Sequence, residues 1–142
     1  MQEPLGQVGA TDLALKYAMS ARALKSPDAM RPKFQNLVYV AFYFANYWYA
    51  TRYDSSIYYG LLTVAIAPDS LARADRMILV GAAYNKIGDN IKALEYYSGA
   101  QALLDNLPYF REEYCYLYNQ FGMLYFDEGD MQKSEEFLSQ VD

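Results

Sequence analysis

The fold is decided by the stretch GAAYNKIGDNIKALEYYSGAQALLDNLP at residues 81–108, which returns in outline as GMLYFDEGDMQKSEEFLSQVD at residues 122–142. Each copy opens with glycine, has tyrosine three positions later and Gly-Asp seven and eight positions later, and continues in a helical pattern. Pro27, Pro68 and Pro108 mark nearly the same interval along the chain. Self-similarity at a period of about 40 residues predicts a helical repeat protein.

Each repeat is predicted to hold two helices joined by a short turn. In the best-defined repeat they run from about Leu71 to Ile87 and from about Asn90 to Leu104. Gly88 suits the left-handed conformation that commonly ends a helix, and Asp89 suits the cap of the next helix. Apolar residues surround each pair, so neighbouring pairs are expected to stack on one another.

Small and aromatic residues recur at matching positions of successive repeats. The positions are Leu37, Val40, Ala41, Phe44, Ser55, Tyr59 and Leu62 in the second repeat, Met77, Val80, Gly81, Tyr84, Ala93, Tyr97, Ala100 and Pro108 in the third, and Tyr118, Phe121, Gly122, Tyr125, Ser134, Leu138 and Val141 in the fourth. This pattern resembles the tetratricopeptide repeat, although that family's usual unit is shorter, at about 34 residues. The resemblance implies an all-α fold, a right-handed superhelical solenoid of antiparallel helix pairs.

The repeats are expected to form a single domain over residues 1–142. It comprises a partial unit at 1–27, whose helix is predicted over residues 12–25, and further units at about 28–68, 69–108 and 109–142. The register within residues 33–67 stays open, because ATRYDSS stands where the other units have their glycine turn. The incomplete units at both ends lead us to expect that the chain is a fragment of a larger protein.

The composition argues against catalysis and against nucleic-acid binding. The chain has no histidine, the commonest general base and metal ligand, and its one cysteine, Cys115, is predicted to be a small core residue. A net charge of −5 without a cluster of Lys or Arg is unsuited to a phosphate backbone. We therefore expect a non-enzyme with no catalytic residue, no cofactor, no metal and no nucleic-acid contact.

No apolar run of the sequence approaches the roughly eighteen residues of a membrane span, so no span is expected. The first residues, MQEPLGQVGATD, lack the basic start and apolar core of a signal peptide. This favours a cytoplasmic protein, and a periplasmic location stays open for a processed fragment.

The first helices of stacked pairs line the concave side of such a solenoid, and tyrosine and asparagine there suit peptide binding. The predicted lining consists of Tyr39, Tyr43 and Asn46 in the second repeat, Asp75, Ile78, Ala82 and Asn85 in the third, and Tyr116, Asn119, Met123 and Phe126 in the fourth.

We therefore expect a non-catalytic scaffold that binds a protein or peptide on its concave face. Two alternatives stay open, a sensory or regulatory repeat domain of a larger bacterial transcription regulator and a structural spacer that associates with itself as a homo-oligomer. Binding and self-association both require Tyr39, Tyr43, Asn119 and Phe126 to be at least partly exposed.

Overall fold

The structure is a computed structural model that describes residues 32–141, and every regular element in this range is helical. The elements are α1 (Pro32–Phe44), a π-helical turn (Ala45–Tyr49), α2 (Tyr53–Ala65), α3 (Ser70–Lys86), α4 (Asn90–Asp105), α5 (Arg111–Asp127) and α6 (Met131–Leu138). The expected all-α class is confirmed for these residues. The helix predicted over residues 12–25 lies outside them.

The chain divides into two compact units, one ending at Ile66 and the other beginning at Ala67, which we call the N-terminal and C-terminal units. The C-terminal unit contains two helical hairpins, α3–α4 and α5–α6, and α5 also contacts both α4 and α3. One apolar core joins the hairpins; its buried members are Ala74, Ile78, Ala93, Tyr97, Ala100, Leu104, Leu117, Phe121 and Leu124.

Glycine marks the closest approach of the helices in both hairpins of the C-terminal unit. A Cβ atom on Gly81 would lie 2.5 Å from Cε1 of Tyr97, and a Cβ atom on Gly122 would lie 2.6 Å from Cδ2 of Leu138. In each hairpin the contacted residue follows the glycine by sixteen positions. The two glycines therefore mark equivalent helix crossings, as the sequence comparison predicts.

The turns of these hairpins follow the predicted pattern. Gly88 and Gly129 have φ angles of 85° and 83°, in the left-handed region where a Cβ atom is disfavoured. The carboxylate of Asp89 accepts a hydrogen bond from the Lys92 backbone N–H at 3.1 Å, which caps α4. Asp130 caps α6 in the same way. The predicted helix ends are thus confirmed within one residue.

The described part of the N-terminal unit is a third hairpin, formed by α1, the π-helical turn and α2. Its turn contains no glycine; Thr51 instead takes a φ of 51°. Buried Ser56 donates from Oγ to the carbonyl oxygen of Tyr43 at 3.0 Å, and Ser134 donates to the carbonyl oxygen of Gly122 at 2.8 Å. The separation is thirteen residues in the first case and twelve in the second, so the π-helical turn accommodates one extra residue.

This hydrogen bond also indicates a register for residues 33–67, which the sequence leaves open. Three of the four buried residues of α2, Ser56, Gly60 and Thr63, have the same spacing as Ala93, Tyr97 and Ala100 in α4. The predicted positions Ser55, Tyr59 and Leu62 are each displaced by one residue. The shift arises because no residue type in α1 or the π-helical turn marks the position of the extra residue.

Candidate functional site

Four of the eleven residues assigned to the groove wall are buried. Tyr39 and Tyr43 lie within the N-terminal unit, where Tyr39 packs with Val38 and Phe42. Ile78 belongs to the core of the C-terminal unit, and Ala82 is also buried. The expectation that Tyr39 and Tyr43 are partly exposed is therefore wrong, because a tyrosine at helical spacing on an aromatic-rich helix packs inward as readily as it faces a ligand.

The asparagines expected to reach a peptide differ in their surroundings. Asn46 donates from Nδ2 to the Phe42 carbonyl oxygen at 2.8 Å, within its own helical turn. Asn85 donates from Nδ2 to Oδ1 of Asn90 at 2.9 Å, which links the end of α3 to the start of α4. Asn119 is exposed. Of the three, Asn119 is therefore the residue whose side chain is open to a partner.

The remaining predicted residues of the fourth repeat lie together on one side of α5. Tyr116, Asn119, Met123 and Phe126 follow one another at intervals of three or four positions, so they share a helical face. Asn119 is exposed and Phe126 retains 59% of its accessible surface, while Tyr116 and Met123 are partly buried. Glu112, one turn before Tyr116, extends this face toward the start of the helix. These five residues are called the α5 face below.

The same positions of α3 lie in different surroundings. The residues one repeat, or 41 positions, before Asn119 and Met123 are Ile78 and Ala82, and both of these are buried. Ile78 shares its core with Leu117 and Phe121 of α5. The α3 face is therefore buried at its centre, whereas the α5 face is exposed at Asn119 and Phe126 and partly buried at Tyr116, which packs against the core, and at Met123.

A half-buried carboxylate lies where α3 meets the start of α5. Burial and the nearby carboxylate of Glu113 raise the pKa of Asp75 from 3.8 to about 6, with Asp69 acting in the same direction and Arg76 in the opposite one. The physical causes are the loss of solvent around Asp75 and the like charge of its neighbours. Burial disfavours the charged form of both Asp75 and the neighbouring Arg76, whose pKa is lowered for the same reason, so this corner is poorly solvated and holds two carboxylates close together.

Acidic residues surround both ends of the α5 face. Glu112 and Glu113 lie in the first turn of α5, Asp127 is its last residue, and Glu128 follows as the C-cap. Residues 67–142 hold thirteen Asp and Glu against six Lys and Arg, a net charge of −7. Glu112 and Glu113 were absent from the predicted site. Glu112 is predictable from its spacing of four residues from Tyr116, whereas the proximity of Glu113 to Asp75 is seen only in the tertiary structure.

The opposite side of α5 is occupied by aromatic packing within the unit. Phe121 stacks on Phe137 with ring centroids 4.7 Å apart, and Tyr97 meets Phe121 edge-on at 5.5 Å. Tyr114 donates from its hydroxyl to Oδ1 of Asp105 at 2.5 Å, and this bond raises the pKa of Tyr114 to about 12. Most tyrosines of this hairpin therefore hold α5 in place rather than face a partner.

Within residues 32–141, no group of three or more Cys, Asp or Glu side chains has an arrangement that would hold a metal ion. Over the same range, no helix combines the length and the apolar character needed to cross a membrane. Comparisons of the chain with protein-family models, with curated proteins and with solved structures give no match.

Proposed function

We propose that the chain is a tetratricopeptide-like repeat domain whose helix pairs stack as a right-handed superhelical solenoid. The matching crossings of Gly81 with Tyr97 and of Gly122 with Leu138 support this arrangement. So do the two capped glycine turns and the contacts of α5 with both α3 and α4. Helices related by a constant interval and packed in the same manner on their neighbours are typical of a solenoid.

The domain acts as a non-catalytic scaffold that binds a protein partner through the α5 face. One observation carries this proposal: Asn119 and Phe126 of the α5 face are exposed, whereas Ile78, which occupies the position of Asn119 in α3, is buried. Burying an exposed Phe or Met side chain is favourable by roughly 1.5–3 kcal/mol. Phe126 and Met123 therefore offer a partner an apolar contact toward the end of α5, and exposed Asn119 between Tyr116 and Met123 offers hydrogen bonds to it.

Self-association through the same face is disfavoured by its charges. In a two-fold pairing that aligns α5 with a second α5 along its length, each end of the helix meets an end of its copy. Both ends have a net negative charge, with Glu112 and Glu113 beside one cation, Arg111, at the start and Asp127 and Glu128 at the end. Every such pairing places carboxylates against carboxylates, which costs free energy.

Site-specific photocrosslinking in the producing cell tests the function. A benzoylphenylalanine at position 126 of the full chain should crosslink to one identifiable protein. The matched control has the same group in place of Ile91, which is 77% exposed on α4 and lies outside the α5 face. Crosslinking to the same proteins from both positions, or none from position 126, would refute the function. The identity of the captured protein also separates a free-standing adaptor from the sensory domain of a transcription regulator.

A further inference from the structure

The α5 face has the dimensions and composition of a docking surface for a single helix. Glu112 and Phe126 are fourteen residues apart, which corresponds to about 21 Å along an α-helix. The centre of the face consists of the side chains of Tyr116 and Met123 and the amide of Asn119. Surfaces of this kind, with an apolar centre and a charged rim, are typical of helix recognition.

The packing of α3 indicates the shape of the occupant. Ile78 of α3, which corresponds to Asn119, is buried in a core to which α5 contributes Leu117 and Phe121. In the preceding repeat this face position is thus part of a core built from helices. Side chains on a helix form ridges that fit the grooves of another helix, so a face of this geometry accepts a helix more readily than an extended strand.

The charges around the α5 face indicate the sign of the charge that the occupant carries. Carboxylates lie at both ends of the helix, and Asp75 of α3 joins Glu113 near the first end. A partner helix with lysine or arginine at its ends would meet opposite charges, which accelerates association and fixes the register of the two helices. A second α5 face meets like charges instead.

We propose that the α5 face binds an amphipathic α-helix of a partner protein, with the apolar side of that helix on Tyr116, Met123 and Phe126 and its basic residues beside the carboxylates at the ends of α5. This inference rests on the function proposed above and specifies the partner's chemistry. The continuity of the face with the α3–α5 packing argues for a helix, and the acidic ends argue for a basic one.

Three synthetic peptides of about fifteen residues, the length that covers the face, test the inference in titrations monitored by fluorescence anisotropy. The first has leucine at helical spacing and lysine elsewhere. The second has the same composition with leucine and lysine alternating, which favours a strand. The third has glutamate in place of each lysine. The first peptide should bind the full chain at least about tenfold more tightly than either of the others, and more weakly as salt is raised.

Variants of the chain locate the binding. Phe126→Ala should weaken binding of the first peptide by about tenfold, since it removes the largest exposed apolar group of the face. Ile91→Ala, which truncates a still more exposed apolar residue on α4, should leave binding unchanged. Glu112→Gln should weaken binding by about threefold, while Glu95→Gln on α4 should not. The melting temperature of each variant checks that the fold is retained.

The outcomes separate the inference from the function. Equal binding of the alternating peptide would overturn the helical occupant, and equal binding of the glutamate peptide would overturn the basic one. Absence of binding by all three peptides would also overturn the inference. In each case selective crosslinking from position 126 would leave the proposed function standing. Dimerisation of the chain through the α5 face in sedimentation experiments, abolished by Phe126→Ala, would replace the partner helix with a second copy.

Discussion

Helices α3 and α5 are built on the same repeat but meet different surroundings. Gly81 and Gly122 occupy matching positions and permit equally close crossings with α4 and α6. Three other matching positions differ in character: Ile78, Ala82 and Asn85 of α3 become Asn119, Met123 and Phe126 of α5. The first two of the α3 residues are buried, and Asn85 links α3 to α4, whereas Asn119 and Phe126 are exposed.

The difference teaches which positions of a repeat specify the hairpin and which specify its neighbours. In the two hairpins of the C-terminal unit, the glycines, the turn residues and the small buried residues are kept because they shape the turn and the helix crossing within each hairpin. The face positions change because they depend on what lies beside the hairpin. A repeat position occupied by Ile in one unit and Asn in the next therefore marks a change of surroundings rather than a change of fold.

Exchanging the residues at one face position should produce the largest effect. Ile78→Asn should lower the free energy of unfolding by about 4 kcal/mol, because it removes a buried apolar side chain and buries an amide without a partner. Asn119→Ile should change it by less than about 0.5 kcal/mol, as for most exposed positions. Urea denaturation of the two variants measures both values. Similar losses for the two variants would show that the α5 face is packed like the α3 face.

Replacing the glycines at the two helix crossings with alanine should destabilise the protein to different extents, because the residues that the new Cβ atoms contact differ in their freedom to move. Gly81→Ala should cost about 2 kcal/mol, because the buried Tyr97 ring has no room to move. Gly122→Ala should cost less than about 1 kcal/mol, since the contacted end of Leu138 belongs to a side chain that is 40% exposed. Thermal unfolding followed by circular dichroism orders the two. A larger loss for Gly122→Ala would contradict this account.

The sequence predicted the C-terminal unit well and the α1–α2 hairpin less well, for a physical reason. Glycine turns, aspartate caps and small residues at crossings are local requirements, so Gly88, Asp89 and Gly81 indicate structure without knowledge of the rest of the chain. The π-helical turn at Ala45–Tyr49 carries no such residue, and the register of α2 was displaced by one. Burial of face residues such as Tyr43 and Ile78 depends on neighbouring helices, which a periodic pattern does not reveal.

Removing a glycine from one hairpin turn should lower stability, and introducing a glycine into another should raise it. Gly129→Ala should cost about 1 kcal/mol, since no atom lies within 4 Å of the new Cβ and only the left-handed φ of 83° opposes it. Thr51→Gly should stabilise the α1–α2 hairpin by up to about 1 kcal/mol, because a β-branched residue is strained at a φ of 51°. Hydrogen exchange of the helices beside each turn resolves the local changes. Destabilisation by Thr51→Gly would show that Thr51 makes a compensating contact.

The smallest effect concerns Asp75, and it depends on pH. Burial and the charge of Glu113 raise the pKa of Asp75 from 3.8 to about 6 in the folded chain. Between these two pH values the folded chain therefore keeps a proton on Asp75 that the unfolded chain has already released. The stability that protonated Asp75 contributes is fully present at or below about pH 4, and it is lost as the pH rises through about 6. Asp75→Asn removes the charge and should raise the free energy of unfolding at pH 7. We expect a gain of about 1 kcal/mol once solvent screening of a half-buried group is allowed for.

At pH 4 the same substitution should give little or no gain, since Asp75 is then largely protonated in the folded chain. Urea denaturation at the two pH values measures the difference, and Glu135→Gln on exposed α6 provides a matched removal of one negative charge away from this corner. A gain for Asp75→Asn that is equal at both pH values would show that packing rather than charge is responsible. Loss of stability at pH 7 would show that the Asp75 carboxylate makes a favourable contact, with Arg76 as the nearest candidate, and that the corner beside the α5 face is less acidic than the proposed basic helix requires.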